Sequence, residues 1–163
     1  MAAHLAAYLG AHLAALLDAL LAAHLAAHMQ KSAKRTAQAI YHNHKIGIFG
    51  DYDVDGASAT ALLANFFKSI NVTYEIYIPD RKKEGYGPTT DSFKKLIDSG
   101  AKLIFTVDCG TLSFDAIEYA FNNNIDVIVL DHHQSEINLP KAHSIVNPNL
   151  SLIHISEPTR RRG

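Results

Sequence analysis

The chain reads as an α/β protein, a doubly wound and mostly parallel sheet preceded by an Ala/Leu/His-rich helix. Two observations predict this. Between residues 45 and 150, short apolar runs rich in β-branched residues alternate with helical stretches. Such alternation builds parallel sheets through right-handed crossovers. In addition, three of the apolar runs end abruptly in acidic or imidazole side chains. Ligands of open parallel sheets bind at the carboxyl ends of the strands, so these side chains are expected to share one crevice.

The elements follow in order. Residues 1–28 are almost entirely Ala, Leu and His, and leucines at three- and four-residue steps from Leu5 to Leu21 give one apolar helix face. His24 and His28 are an i,i+4 pair, but no carboxylate or third ligand sits beside them, so the segment reads as low-complexity helix. The segment is expected to be a helical extension or a non-native leader; for the latter, His28-Met29 matches a common cloning junction, and Met29 would serve as a start codon. Residues 29–44 form a helix with Ala33, Ala37 and Ile40 on the apolar side and Lys31, Lys34 and Arg35 in solvent.

Strands are expected at 45–49, 72–78, 102–107, 126–130 and 143–146, apolar throughout as strands covered on both faces must be. Helices are expected at 58–69, 89–99 and 112–123. They end in Asn71, Gly100 and Asn122 to Asn124, residues that accept left-handed or turn geometry. Residues 151–163 break the pattern and read as a translated sequencing adapter, so Arg160 to Arg162 are not an evolved phosphate-binding patch. The domain proper is thus expected to span residues 29–150.

Composition narrows the function. The 163 residues carry a formal net charge of -1, so any nucleic-acid surface has to be local. The one cysteine, Cys109, excludes a disulfide framework and points to a reducing cytoplasm. Alternation turns its side chain away from Asp108, as a small buried residue. No uninterrupted strongly apolar stretch reaches 18 residues, so no membrane association is expected.

The chemistry lies at the strand ends. Gly50-Asp51-Tyr52-Asp53-Val54-Asp55-Gly56 follows the first strand, Asp108-Cys109-Gly110 the third, and Asp131-His132-His133 the fourth. Carboxylates brought close together repel, and burial raises that cost. A divalent cation resolves the conflict. Oxygen ligands with imidazole suit manganese or magnesium and admit zinc or iron. An EF-hand reading of Asp51-x-Asp53-x-Asp55-Gly56 fails, because its twelfth position is Leu62 and not Glu. No GxxxxGK[ST] phosphate loop follows the strand.

These segments, in this order and with Arg81-Lys82-Lys83-Glu84-Gly85-Tyr86-Gly87 between them, resemble the DHH phosphoesterases, in particular the RecJ-type single-strand exonucleases. The helix from Met29, with Arg35 and Ala39-Ile40, also resembles the one that precedes the first motif in that branch. The resemblance implies a two-metal phosphodiesterase, usually with Mn2+ or else Mg2+, that degrades single-stranded DNA from the 5′ end. It implies that Asp53 binds the first metal, Asp55 and His132 the second, and that Asp108 bridges them. His133 would face the substrate phosphate, Asp51 would be an outer-shell group or further ligand, and Arg81, Gly85 and Tyr86 would lie near the substrate. A surface ion pair with Glu84 is the other reading of Arg81.

The family pattern adds a fourth-motif aspartate, a second domain and an oligonucleotide-binding fold beyond residue 150. The chain is therefore expected to be a truncated domain, a monomer with little nuclease activity of its own. Single-strand-binding protein and helicase partners come from the family alone. Two rivals remain. DHH enzymes acting on short oligonucleotides or cyclic dinucleotides usually carry His where this chain has Phe49. Non-catalytic DHH scaffolds have lost metal ligands that are present here.

Overall fold

A computed structural model describes residues 2–150 apart from 137. The chain runs α1 (Ala2–Tyr41), β1 (Lys45–Gly50), α2 (Val54–Ser69), β2 (Tyr74–Tyr77), α3 (Arg81–Glu84), α4 (Thr90–Asp98), β3 (Ala101–Val107), α5 (Phe114–Asn122), β4 (Asp126–Leu130) and β5 (Ser144–Val146). All four strand pairings are parallel, in the order β2-β1-β3-β4-β5. The chain goes one way from β1 to β2 and then crosses back to β3. The topological switch point therefore lies between β1 and β3, where a doubly wound sheet opens its crevice.

Side chains alternate between two cores. On one face Phe49, Ile104, Val127 and Val129 pack with Phe93 and Leu96 of α4 and Ile117 of α5. On the other, Ile46, Ile48, Leu103, Phe105 and Ile128 pack with Ala64 and Phe67 of α2 and Ala39 of α1. β1, β3 and β4 are covered on both faces, as their apolar runs require. Left-handed residues turn helices into strands: Asn43, Asn71 and Asn124 have φ of 55°, 57° and 58°, and Gly100 has 98°. Helix α4 starts on a capping box in which Thr89 Oγ1 accepts from Ser92 N and Ser92 Oγ accepts from Thr89 N.

Three expectations need correction. β2 lies at the sheet edge and is not covered on both faces: Ile76 is exposed. Helix α1 runs through residues 28 and 29 without a break, although composition changes there. Its inward side is also not the one that apolar spacing indicated. Ala33 and Ala37 are exposed, whereas Ser32 and Ala39 are buried. Arg35 is no solvent-facing charge. Its Nε donates to Asp126 Oδ2 at 2.7 Å and its Nη2 to the Lys102 carbonyl at 3.2 Å. Ser32 Oγ meets Ser144 Oγ at 2.7 Å, and His28 Nδ1 accepts from Ile145 N at 3.1 Å. The helix docks on the sheet through polar partners, which hydrophobic periodicity does not register. The pairing of His28 Nδ1 with β5 agrees with the absence of a metal reading for the His24–His28 pair. The Leu5 to Leu17 side chains and the tail 151–163 lie outside what the structure describes. Among the described residues, no helix is long and apolar enough to cross a membrane.

Two predictions concern this docking. Arg35→Ala is expected to cost about 1.5–3 kcal/mol in denaturant unfolding, the range for hydrogen bonds to charged groups. The His28 imidazole is lowered to about 4 by burial, with the charges of His24 and Lys31 adding to it. The folded state therefore resists a proton that the unfolded state takes up near pH 6.5. Stability is full above about 6.5 and falls as pH drops from there towards 4. A pH series of unfolding midpoints should show this slope, and His28→Gln should make it shallower.

Candidate metal centre

The site is assembled by the ends of four adjacent strands. Just past each strand, a backbone N–H donates to the end of the next. Asp51 N reaches the Val107 carbonyl at 3.4 Å, Asp108 N the Leu130 carbonyl at 2.9 Å, and Asp131 N the Val146 carbonyl at 3.0 Å. The three aspartates that open the three motifs are thereby fixed in one row, and all three are buried. Asp108 has φ of 60°, a left-handed conformation uncommon outside glycine. That backbone turn carries its carboxylate into the crevice while the Cys109 side chain goes into the core, where burial pushes the thiol up.

Helix α2 starts in the first motif. Asp53 is its N-cap: its backbone is extended and its Oδ1 accepts from Gly56 N at 2.9 Å. The cap needs close approach of the helix to Asp51. A Cβ on Gly56 would lie 2.6 Å from both Cβ and the carbonyl oxygen of Asp51, and one on Gly50 would lie 1.9 Å from Thr60 Oγ1. Both glycines are therefore packing requirements of the loop.

Two groups of ligand atoms result. Asp51, Asp53 and Asp108 bring one oxygen each within 4.8 Å of one another, and so do the ligand atoms of Asp108, His132 and His133. Asp108 belongs to both. His132 Nε2 lies 2.9 Å from Asp108 Oδ1. The Gly56 N–H holds the Asp53 carboxyl below its ordinary range, helped against desolvation by hydrogen bonding to Asp108. Burial, with the neighbouring Asp53 charge, pushes the Asp108 carboxyl up. The two carboxylates resist being ionised together, and a donor set of this hard-oxygen and imidazole type suits manganese or magnesium. Asp55, in the first turn of α2, stands outside both groups. It lines the same cleft of about 900 Å³ as Asp108, Asp131 and His132, whose other wall includes Leu62, Leu63 and Phe66.

Asp131 has a part that sequence reasoning did not assign. Its Oδ1 lies 2.7 Å from His133 Nδ1 and accepts from the backbone N of His132 and His133. Its Oδ2 accepts from Thr111 N and Oγ1. Burial opposes its ionisation, but hydrogen bonds from Thr111 and His133 outweigh this and hold the carboxyl below its usual range. Thr111, Asn147 and Asn149 were also missed. The Asn147-Pro148-Asn149 run follows β5 directly, so the strand-end rule that found the other motifs would have found it too.

The 81–87 segment meets the first and third motifs through two side chains. It forms the one-turn helix α3, capped by Asp80. Glu84 is engaged by the Tyr77 hydroxyl, by Asp80 N at 3.1 Å and by Lys95 at 3.9 Å. The ion-pair reading of Arg81 finds no support in this set of partners. Its guanidinium instead lies over the Tyr52 ring, 5.1 Å from the centroid. After Gly85, with φ of 79°, Tyr86 places its hydroxyl 3.4 Å from His133 Nε2. Arg81 thus touches the first motif through Tyr52, and Tyr86 touches the third through His133.

Comparison with known proteins agrees with this geometry. The model of the DHH family, N-terminal domain, matches residues 45–154. The chain belongs to the DHH family. Over 118 residues it is 39% identical to the single-stranded-DNA-specific exonuclease RecJ of Bacillus subtilis (strain 168), covering 72% of this chain and 15% of that protein. A crystal structure of exonuclease RecJ bound to manganese superposes with a TM-score of 0.68 at 30% identity, over 74% of this chain and 31% of that one. RecJ from Thermus thermophilus in complex with Mn2+ gives a TM-score of 0.65 at 25% identity, over 80% and 18%. The chain thus spans a minor part of the length of these relatives.

Gly56→Ala tests how tightly the first motif is packed. The added methyl should destabilise the fold by about 1–3 kcal/mol, the usual range for overpacking. Calorimetric titration should also show manganese binding weakened, because Asp51 and Asp53 must move.

Proposed function

We propose that this chain carries the metal-dependent phosphodiester-hydrolysing cleft of a single-strand DNA exonuclease that works from the 5′ end. The observation that carries the reading is the sharing of Asp108 between two ligand groups, one of carboxylates and one with two imidazoles. The names of the relatives and the manganese bound by two of the structural neighbours support the substrate and the metal. On this reading the protein is a cytoplasmic monomer, with single-strand-binding and helicase proteins as partners in its parent form.

Asp53, Asp55, Asp108 and His132 would hold the divalent ions, with Asp51 as buttress or further ligand. When bound, the ions supply a water of lowered pKa and positive charge for the phosphoryl oxygens. The protein's own groups do the rest. Asp108 keeps the two ligand groups in register. The hydrogen bond from His133 to Asp131, against some desolvation, raises the His133 pKa and favours its protonated form. In that protonated form His133, bonded to Asp131 through Nδ1–H, would offer Nε2–H to a non-bridging phosphate oxygen, whereas its neutral form leaves Nε2 without a proton. Burial, with the charges of Asp131 and its neighbours, pushes the Tyr86 phenol up, so Tyr86 stays a neutral donor beside it. Arg81, steadied on Tyr52, turns its guanidinium edge to a neighbouring phosphate. The Gly85 turn lets the strand pass close to the backbone.

Manganese titration calorimetry tests the reading. Binding is expected for the chain and is expected to disappear in Asp108→Ala. Mononucleotide release from a 5′-labelled single strand should be slow and should vanish in the same variant. A chain that takes up no manganese, or cuts duplex and single strands alike, sinks the proposal.

A further inference from the structure

Asn147 is a buried polar side chain, 1% exposed, at the end of β5. The proposed chemistry does not use it. Its Nδ2 donates to Thr111 Oγ1 at 3.0 Å and to the His133 carbonyl at 2.9 Å. Its Oδ1 accepts from Asn149 N at 2.8 Å, and Asn149 in turn donates through Nδ2 to the His132 carbonyl. The amides of Asn147 and Asn149 thus tie together β5, the loop after β3 and both histidines of the third motif.

The direction of these bonds matters. Asp131 accepts from four donor atoms, two on Thr111 and the backbone N of His132 and of His133, and its Oδ1 also lies 2.7 Å from His133 Nδ1; a carboxylate has no proton to give, so the proton of that contact belongs to Nδ1. The Thr111 hydroxyl has a single proton, and the 2.6 Å contact spends it on Asp131. The Thr111 oxygen is then free to accept, and the Asn147 Nδ2–H supplies that proton. The chain of donors therefore runs from Asn147 to Thr111 to Asp131, and meets His133 Nδ1–H coming from the other side. The hydrogen on Nδ1 leaves Nε2 as the imidazole atom presented to the cleft. Each bond polarises the next in a buried setting.

Resting on the metal-site reading above, we propose that Asn147, acting through Thr111 and Asp131, is the positioning residue that fixes the tautomer and orientation of His133. It does not touch substrate or metal. It holds the third motif at both ends, by the side-chain relay to Asp131 and by the His133 carbonyl.

Asn147→Asp is the informative change. It keeps shape and the acceptor for Asn149 N, but sets an oxygen against the Thr111 hydroxyl and the His133 carbonyl. Long-range proton–nitrogen spectra of the metal-free, histidine-labelled chain report the imidazole, with His133→Asn providing the assignment. The full chain should show His133 protonated at Nδ1, and Asn147→Asp should show a mixture of tautomers or the Nε2-protonated form. A residue that only stabilised the fold would lower the unfolding midpoint and leave the His133 pattern as it was, and that result overturns the proposal. If Asn147→Asp does not fold, Thr111→Val removes the middle of the relay and must give the same change of tautomer; an unchanged pattern overturns the proposal. If the unmodified chain takes up no manganese, the metal-site reading fails, while the metal-free spectra still decide the role of Asn147.

Discussion

Asp51, Asp53 and Asp108 bring carboxylate oxygens within 4.8 Å of one another, where water is largely excluded from two of the three. Like charges at that separation repel, and a folded chain left to itself would not gather them. Much of the remaining architecture answers this repulsion. The Gly56 N–H and the start of α2 stabilise charge on Asp53, and imidazole nitrogen stands against Asp108. Burial and the Asp53 charge push the Asp108 carboxyl up, and a bound cation would act in the opposite direction by supplying the missing positive charge.

The sheet makes such crowding tolerable. Three successive backbone bonds, from Asp51, Asp108 and Asp131 to the ends of the neighbouring strands, leave the motif loops little freedom to spread apart. The left-handed Asp108 is kept in place by one of them. Behind the row, Asp131 serves as an acceptor for Thr111, His132 and His133, and Asn147 closes that network from β5. The third motif is therefore one acid that organises and two imidazoles that are organised. Its first residue holds the backbone and ring of its third, and its first and second line the cleft.

Helix α1 secures the far side of the same sheet by different means. Its contacts with the strands are a serine pair, an arginine–carboxylate bridge and a histidine that accepts from a strand N–H. Arg35 and Asp126 keep little side-chain exposure, so each charge depends on the other for solvation. Polar docking of this kind fixes which face of a helix lies inward, where an Ala-rich surface could slide.

Legible in the sequence were the parallel α/β class, the buried character of β1, β3 and β4, the left-handed helix ends and the placing of acids and imidazoles at three neighbouring strand ends. These follow from local rules: apolar runs of strand length, Asn and Gly at helix ends, and polar residues directly after buried strands. The placing of Tyr86 and Arg81 beside the motifs came through resemblance to a family and not through periodicity. Only the tertiary structure decided that β2 is an edge, that Arg35 reaches Asp126, that Asp55 stands apart from the two ligand groups, and that Asn147 holds His133. Each of these depends on a partner between 14 and 91 residues away or on strand order. Hydrophobic pattern records which side chains avoid water, but it does not record which polar groups find one another inside.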